Sequence, residues 1–157
     1  MQSGKPLLAK DVTPPEIGSP YPEPFASLAT STAFRRLGDQ FGLTQLGVNM
    51  ITLDPGAQSG LRHWHSLEDE FLYILAGEPT LILNDGECKL STGMCIGFKA
   101  QDRNAHLMIN RSDAVVHYLV IGSRAPGDVC FYPDDDLSWF PTEHGEIAVH
   151  KDGTPYP

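Results

Sequence analysis

The chain has 157 residues, 41% hydrophobic and 20% charged, with a net charge of −9 from 11 basic and 20 acidic residues. That length suits one domain whose core needs no cross-links, and the acidic balance disfavours nucleic acid and an anionic membrane face as partners. A small anionic ligand is not excluded, because an internal metal can supply local positive charge, and Arg35, Arg36, Arg62, Arg103 and Arg111 can add to it. The three cysteines, Cys88, Cys95 and Cys130, contain no Cys-x-x-Cys pair. The odd number argues against a disulfide framework and for a reducing compartment. No stretch has signal-peptide or membrane-span character, so the cytoplasm is the expected location.

Residues 1–24 hold six of the 13 prolines, Pro6, Pro14, Pro15, Pro20, Pro22 and Pro24. Such a stretch cannot be helical and makes a poor central strand. It reads as an extended arm packed over the body or a partner subunit, with a disordered tail as the alternative. Phe25–Ala29 suits a short helical turn. Strands are expected over Phe34–Leu37 and, after a turn at 38–42, over Leu43–Leu53. Pro55-Gly56 and Ser59-Gly60 punctuate the next loop. Phe71–Leu75 is a strand ended by Ala76-Gly77-Glu78-Pro79. Thr80–Leu83 and Glu87–Leu90 flank Asn84-Asp85-Gly86, a hairpin with Asp-Gly at its tip. Cys88 and Cys95 flank this region and read as core thiols rather than ligands. Met94–Phe98 is a strand, 99–104 a polar loop, and His106–Ile109, Val115–Ile121 and Val129–Tyr132 are further strands. Asp134-Asp135-Asp136 reads as a solvated acidic face or helix start, with a salt bridge to a basic loop as the alternative. Ile147–Gly153 suggests a strand and turn. Many short strands, regular turns and no crossover helix give an all-β sandwich or barrel.

The chemistry concentrates in Arg62-His63-Trp64-His65-Ser66-Leu67-Glu68-Asp69-Glu70-Phe71. Residues two apart on a strand share a face, so His63 and His65 can converge, and one of Glu68, Asp69 and Glu70 can join them. Parity does not choose among the three carboxylates, because a turn intervenes. His106, opening a short apolar strand, can supply a further donor. Three imidazoles and a carboxylate suit a divalent ion such as Fe, Mn, Ni or Zn and leave positions open. Trp64, between the two histidines, should face the other way and serve packing.

The run from Gly56 to Gly77, with His63-x-His65, Glu70 and a closing Gly77, resembles the first motif of the cupins. Glu70 fits the glutamate position of that motif: four residues separate it from His65 and six from Gly77. Glu68 does not fit. Six residues separate Gly56 from His63, where the family more often leaves five. A second cupin motif is similar to Gly93 followed by His106-x-x-x-Asn110, although Lys99-Ala100-Gln101-Asp102 stands where the family has a proline and a glycine. The resemblance implies a cupin-type double-stranded β-helix (jelly-roll) barrel over 31–125, between a Pro-rich arm over 1–30 and a C-terminal extension over 126–157 that packs on it. It further implies a divalent metal held by His63, His65, Glu70 and His106, a homodimer, and a small-molecule substrate or ligand.

The family alone does not fix a reaction. One expectation is a metal-dependent oxygenase, isomerase or lyase acting on a small polar or anionic metabolite, with Arg62, Tyr73, His117 and Tyr118 as possible pocket lining. The other is a non-catalytic module that binds a small molecule and whose metal site is structural or vestigial. A catalytic site should be open and polar at the metal, and a structural or vestigial one plugged by large apolar side chains.

Overall fold

The computed structural model describes residues 4–15, 19–30 and 33–157. Residues 1–3 and 16–18 of the expected arm, and 31–32 at the start of the expected barrel, lie outside the described residues. The described residues form twelve strands and no α-helix: β1 (Ala33–Arg36), β2 (Leu46–Leu53), β3 (Trp64–His65), β4 (Glu70–Ala76), β5 (Thr80–Leu83), β6 (Gly86–Lys89), β7 (Cys95–Phe98), β8 (Leu107–Ile109), β9 (Val116–Ser123), β10 (Cys130–Tyr132), β11 (Leu137–Thr142) and β12 (Gly145–Val149). One layer is a five-stranded sheet in the order β1-β2-β9-β4-β7. The other consists of two pieces, β6-β5-β8 and β3-β10-β11-β12. The antiparallel bridges Gln58↔Ile109 and His63↔His106 join the two pieces. The result is an all-β jelly-roll barrel of the cupin type. None of its helical turns is long and apolar enough to cross a membrane.

Alternation along the strands builds the core. In β4, Leu72 and Ile74 are buried while Phe71, Tyr73 and Leu75 are exposed. The ladder sets Leu72 opposite Val120 and Ile74 opposite Tyr118. In turn β2 sets Ile51 opposite Tyr118 and Leu53 opposite Val116. These side chains meet Leu81 and Met108 from the other layer in one buried cluster. A second cluster gathers Phe25, Leu61, Cys130, Tyr132 and Leu137, so residues from the arm and from the C-terminal extension pack together on the loop that leads into β3.

Two details depend on particular residues. Gly77 closes β4 at φ +87°, and a Cβ there would lie 2.8 Å from both the Val115 carbonyl and the Val116 side chain. Only glycine meets both conditions. Asn110 is completely buried. Its side-chain amide donates to the carbonyls of Leu53 (2.9 Å) and Ala114 (2.8 Å), while its oxygen accepts from the Ser112 backbone (3.0 Å). It thereby ties the end of β2 to the turn before β9.

Some expectations need correction. Cys88 and Cys95 are exposed and only Cys130 is buried. Cys95 pairs with the outward Tyr73, and Cys88 lies in the fully exposed strand β6. The hairpin register sets Leu83 opposite Gly86. Its two-residue tip is therefore Asn84-Asp85, and Gly86 already opens β6. The acidic run starts no helix: Asp134 pairs with Arg62 and Asp136 with His150. The aromatic segment behind it is strand β11.

Replacing Asn110 by alanine leaves the Leu53 carbonyl and its neighbours without partners in a dry interior. We expect a loss of about 2 kcal/mol or more in unfolding free energy by urea titration, against little change for Asn84→Ala in the exposed tip.

Candidate metal centre

The bridge between His63 and His106 is made by two backbone hydrogen bonds of 3.1 and 2.9 Å, one in each direction. It sets the two imidazoles side by side, with ring centres 4.8 Å apart. His65 lies two residues on, in β3, paired with Cys130 of β10. Trp64 between them turns outward and stacks on Phe131 at 4.5 Å. Glu70 is the first residue of β4 and shares the inward face of Leu72 and Ile74. The two sheets therefore contribute opposite halves of the site, the carboxylate from one and the imidazoles from the other.

Donor atoms of His63, Glu70 and His106 lie within 4.8 Å of one another. The Nε2 of His106 and a carboxylate oxygen of Glu70 are in direct hydrogen-bond contact. His65 stands beside His63, with ring centres 5.2 Å apart. It groups with His63 and Cys130, and separately with Glu68 and Asp128, rather than with all three of the first set. Glu68 accepts a hydrogen bond from the Ala125 backbone and Asp69 one from Ala100. Of the three carboxylates left open by the spacing, Glu70 is the one that meets His63 and His106.

The histidines are oriented by their second nitrogens. Nδ1 of His63 donates to the Leu61 carbonyl at 2.8 Å. A carbonyl only accepts, so the proton sits on Nδ1 and the lone pair on Nε2. Nδ1 of His65 faces the Asp128 carboxylate at 2.7 Å, the carboxylate–imidazole pairing that raises ligand basicity. Asp128 also accepts from the backbones of Leu67 and Glu68 (2.7 and 3.2 Å) and so holds the turn between β3 and β4. His106 is stacked on Phe98 at 3.7 Å, and its buried Nδ1 has no partner among the described residues. Two imidazoles with lone pairs fixed by their acceptors, a third packed in place and one carboxylate fit a divalent ion.

Burial, reinforced by the neighbouring His106, pushes the His63 ring down to about 4. Burial alone would push Glu70 up, but the hydrogen bond to His106 and the charges of the three histidines together hold it at about 2. The carboxylate is therefore anionic and His63 neutral at neutral pH, the forms a cation requires.

His63, Glu70 and His106 open onto a cavity of about 560 Å³, lined further by Ser59, Met108 and Tyr118. Tyr118, expected as possible lining, is there and is 2% exposed. The other three expected lining residues are not. Arg62 donates twice to Asp134 (2.7 and 2.8 Å) and once to Asn84. Tyr73 is odd in the alternation from Glu70 and so faces outward. His117 is hydrogen-bonded to the Thr52 hydroxyl at 3.1 Å on the outer face of the sheet. Sequence reasoning missed Asp128, which looks like an ordinary loop aspartate: its role depends on β10 returning beside β3. It also missed Ser59, and of the five arginines it named as possible positive charge for an anionic ligand, Arg36 is the one that lines the cavity.

The cupin domain family Cupin_2 matches residues 49–122. A sugar phosphate isomerase from a cupin superfamily, from Silicibacter pomeroyi, is 39% identical over 90% of each chain, with a TM-score of 0.84. A putative sugar phosphate isomerase from Acidithiobacillus ferrooxidans is 28% identical over 82% of this chain and 81% of its own, with a TM-score of 0.73. The polyketide cyclase RemF from Streptomyces resistomycificus, 18% identical over 76% of this chain and 79% of its own, shares the fold with a TM-score of 0.59. No curated protein sequence matches the chain. The chain belongs to the cupin superfamily, and its site carries histidine and carboxylate clusters able to chelate a metal.

Asp128→Asn keeps the size of the His65 partner and removes its charge. We expect metal affinity, measured by competition with a chromophoric chelator, to fall roughly 10–100-fold; unchanged affinity would remove Asp128 from the centre. In chelator-treated protein the lowered His63 ring gives a second expectation. Between pH 6.5 and about 4 the unfolded state binds the proton that His63 refuses in the fold. Stability should therefore fall with falling pH in that window by up to about 1.4 kcal/mol per unit. His63→Gln should flatten the slope in denaturant titrations.

Proposed function

We propose that the protein is a metal-dependent enzyme acting on a small polar or anionic metabolite, and that its reaction is the isomerisation of a phosphorylated sugar. The carrying observation is the His63, Glu70 and His106 group opening onto a cavity large enough for such a molecule. The two isomerase-named relatives at 39% and 28% identity support the reaction class. A merely structural or vestigial site expects a cavity filled by large side chains, and 560 Å³ of space argues against that; a non-catalytic module that binds a small molecule keeps such a cavity and differs from the enzyme in showing no turnover.

In this reading His63, His65, Glu70 and His106 hold a divalent ion such as Fe, Mn, Ni or Zn. When bound, the ion supplies Lewis-acid polarisation of a substrate oxygen. The chain's own groups do the rest. Burial pushes the Tyr118 hydroxyl up despite its hydrogen bond with Ser59, so it stays protonated and can donate to a substrate oxygen. Aldose–ketose interconversion carries a proton from one carbon, through a base that exchanges it with water, to the neighbouring carbon, and the fixed Tyr118 donor stabilises the negative charge that meanwhile develops on the substrate oxygen. Arg36 is the permanent cation among the described lining residues and suits a phosphate at the outer end. Pro20 and Tyr21 of the arm line the same cavity and would limit water there. The proposal includes the division into arm (1–30), barrel (31–125) and extension (126–157). It also includes a homodimer in the cytoplasm, which follows from the family resemblance and the unpaired cysteines.

The test is a panel of aldose and ketose phosphates with metal-loaded protein in deuterated water, followed by NMR. Interconversion with deuterium entering next to the carbonyl is expected. No turnover and no exchange with any member of the panel would reject the reaction. With a turning-over substrate, Tyr118→Phe should lower kcat about 100-fold at unchanged metal content. Arg36→Gln should raise KM about tenfold or more with kcat little changed.

A further inference from the structure

The C-terminal extension adds an unusual donor to this centre. Strand β10 lies antiparallel to β3, with Cys130 directly opposite His65. Residues opposite each other on paired strands point to the same face. Cys130 therefore shares the inward face of His65, which is also that of His63 two residues earlier. The consequence is measurable: the Cys130 sulfur and donor nitrogens of His63 and His65 all lie within 4.8 Å of one another. His63 also belongs to the group with Glu70 and His106, so the two donor groups meet at one imidazole.

The sulfur is held rather than loosely placed. Cys130 is 9% exposed, whereas Cys88 and Cys95 are both exposed. Cys130 packs in one cluster with Tyr132, whose ring meets that of Tyr21 of the arm edge-on at 5.8 Å. The ring of Tyr132 lies 5.7 Å from that of His63. Strand pairing and this packing hold the thiol alongside the histidines.

We propose that Cys130 is a sulfur donor to the metal centre, supplied by the C-terminal extension. The inference rests on the metal-binding reading above and deepens it. Loading would release the thiol proton to water, as metal binding by cysteine requires. One carboxylate and one thiolate together balance a divalent charge in a buried site, where a net charge is costly. The sulfur also biases metal choice: a thiolate favours zinc or cobalt over manganese or magnesium.

Cobalt(II) titration of the Cys88→Ser/Cys95→Ser protein tests this without touching Cys130. Both substitutions are at exposed positions, and Cys130 is then the remaining thiol. We expect a sulfur-to-cobalt charge-transfer band in the near ultraviolet that saturates with cobalt uptake and disappears when Cys130→Ala is added. Cys130→Ala should also weaken zinc binding at least about tenfold while changing manganese binding much less. Cobalt uptake shown by visible d–d bands without the charge-transfer band would overturn the sulfur donor and leave the histidine–carboxylate centre standing. A protein that takes up no cobalt would overturn both.

Discussion

The antiparallel bridge between His63 and His106 is the contact on which the rest of the molecule depends. Its two backbone hydrogen bonds close the gap between β6-β5-β8 and the sheet that ends in β3. Together with the Gln58↔Ile109 bridge it keeps the second layer from splitting into two pieces with unpaired backbone facing the interior, a costly arrangement in a dry core. The same bridge places two imidazoles side by side, opposite the one carboxylate that the facing sheet presents. Fold closure and donor assembly are thus one event, and the cavity lies where the layers meet at the donors rather than at the fully packed Leu53, Ile74 and Leu81 end.

Electrostatics follows from that placement. A carboxylate among three histidines in a buried site is held anionic, and the burial that neutralises His63 leaves its lone pair free. Each oriented ring owes its direction to its second nitrogen: the Leu61 carbonyl, within the motif, holds His63, and the Asp128 carboxylate, from the C-terminal extension, holds His65. The segment before β10 therefore tunes a centre whose donors come from the barrel. The arm enters the same arrangement through Tyr21, whose hydroxyl accepts from the Leu61 backbone at 3.4 Å.

Much of this was legible in the sequence, because it is local. The alternation of Leu72 and Ile74 with Phe71, Tyr73 and Leu75 reveals a strand with one wet face. The spacing of His63, His65, Glu70 and Gly77 marks the cupin motif, and Asn110 is recognisable four residues after His106. What was hidden depends on partners distant in the chain. Nothing near Asp128 says that it will meet His65, and nothing near Cys130 says that it will face two histidines while Cys88 and Cys95 remain in water. A histidine in an apolar run, like His117, suits either a site or a satisfied structural role, and it is the register, opposite Thr52 on the outer face, that decides. Strand β11 was hidden behind the acidic run, although Leu137-Ser138-Trp139 alternates and a Gly145-led strand follows. The Lys99–Asp102 stretch departs from the family without disturbing the donors: the Ala100 and Gln101 backbones are tied to Asp69 and His65.

The central claim is that this barrel assembles its donors in order to hold a metal ion. Inductively coupled plasma mass spectrometry on untagged protein, beside His106→Ala, tests it most directly. The account predicts about one equivalent of iron, manganese, nickel or zinc per chain, lost in the variant. A protein that is empty and takes up no added metal, or a variant that keeps a full equivalent, would contradict it.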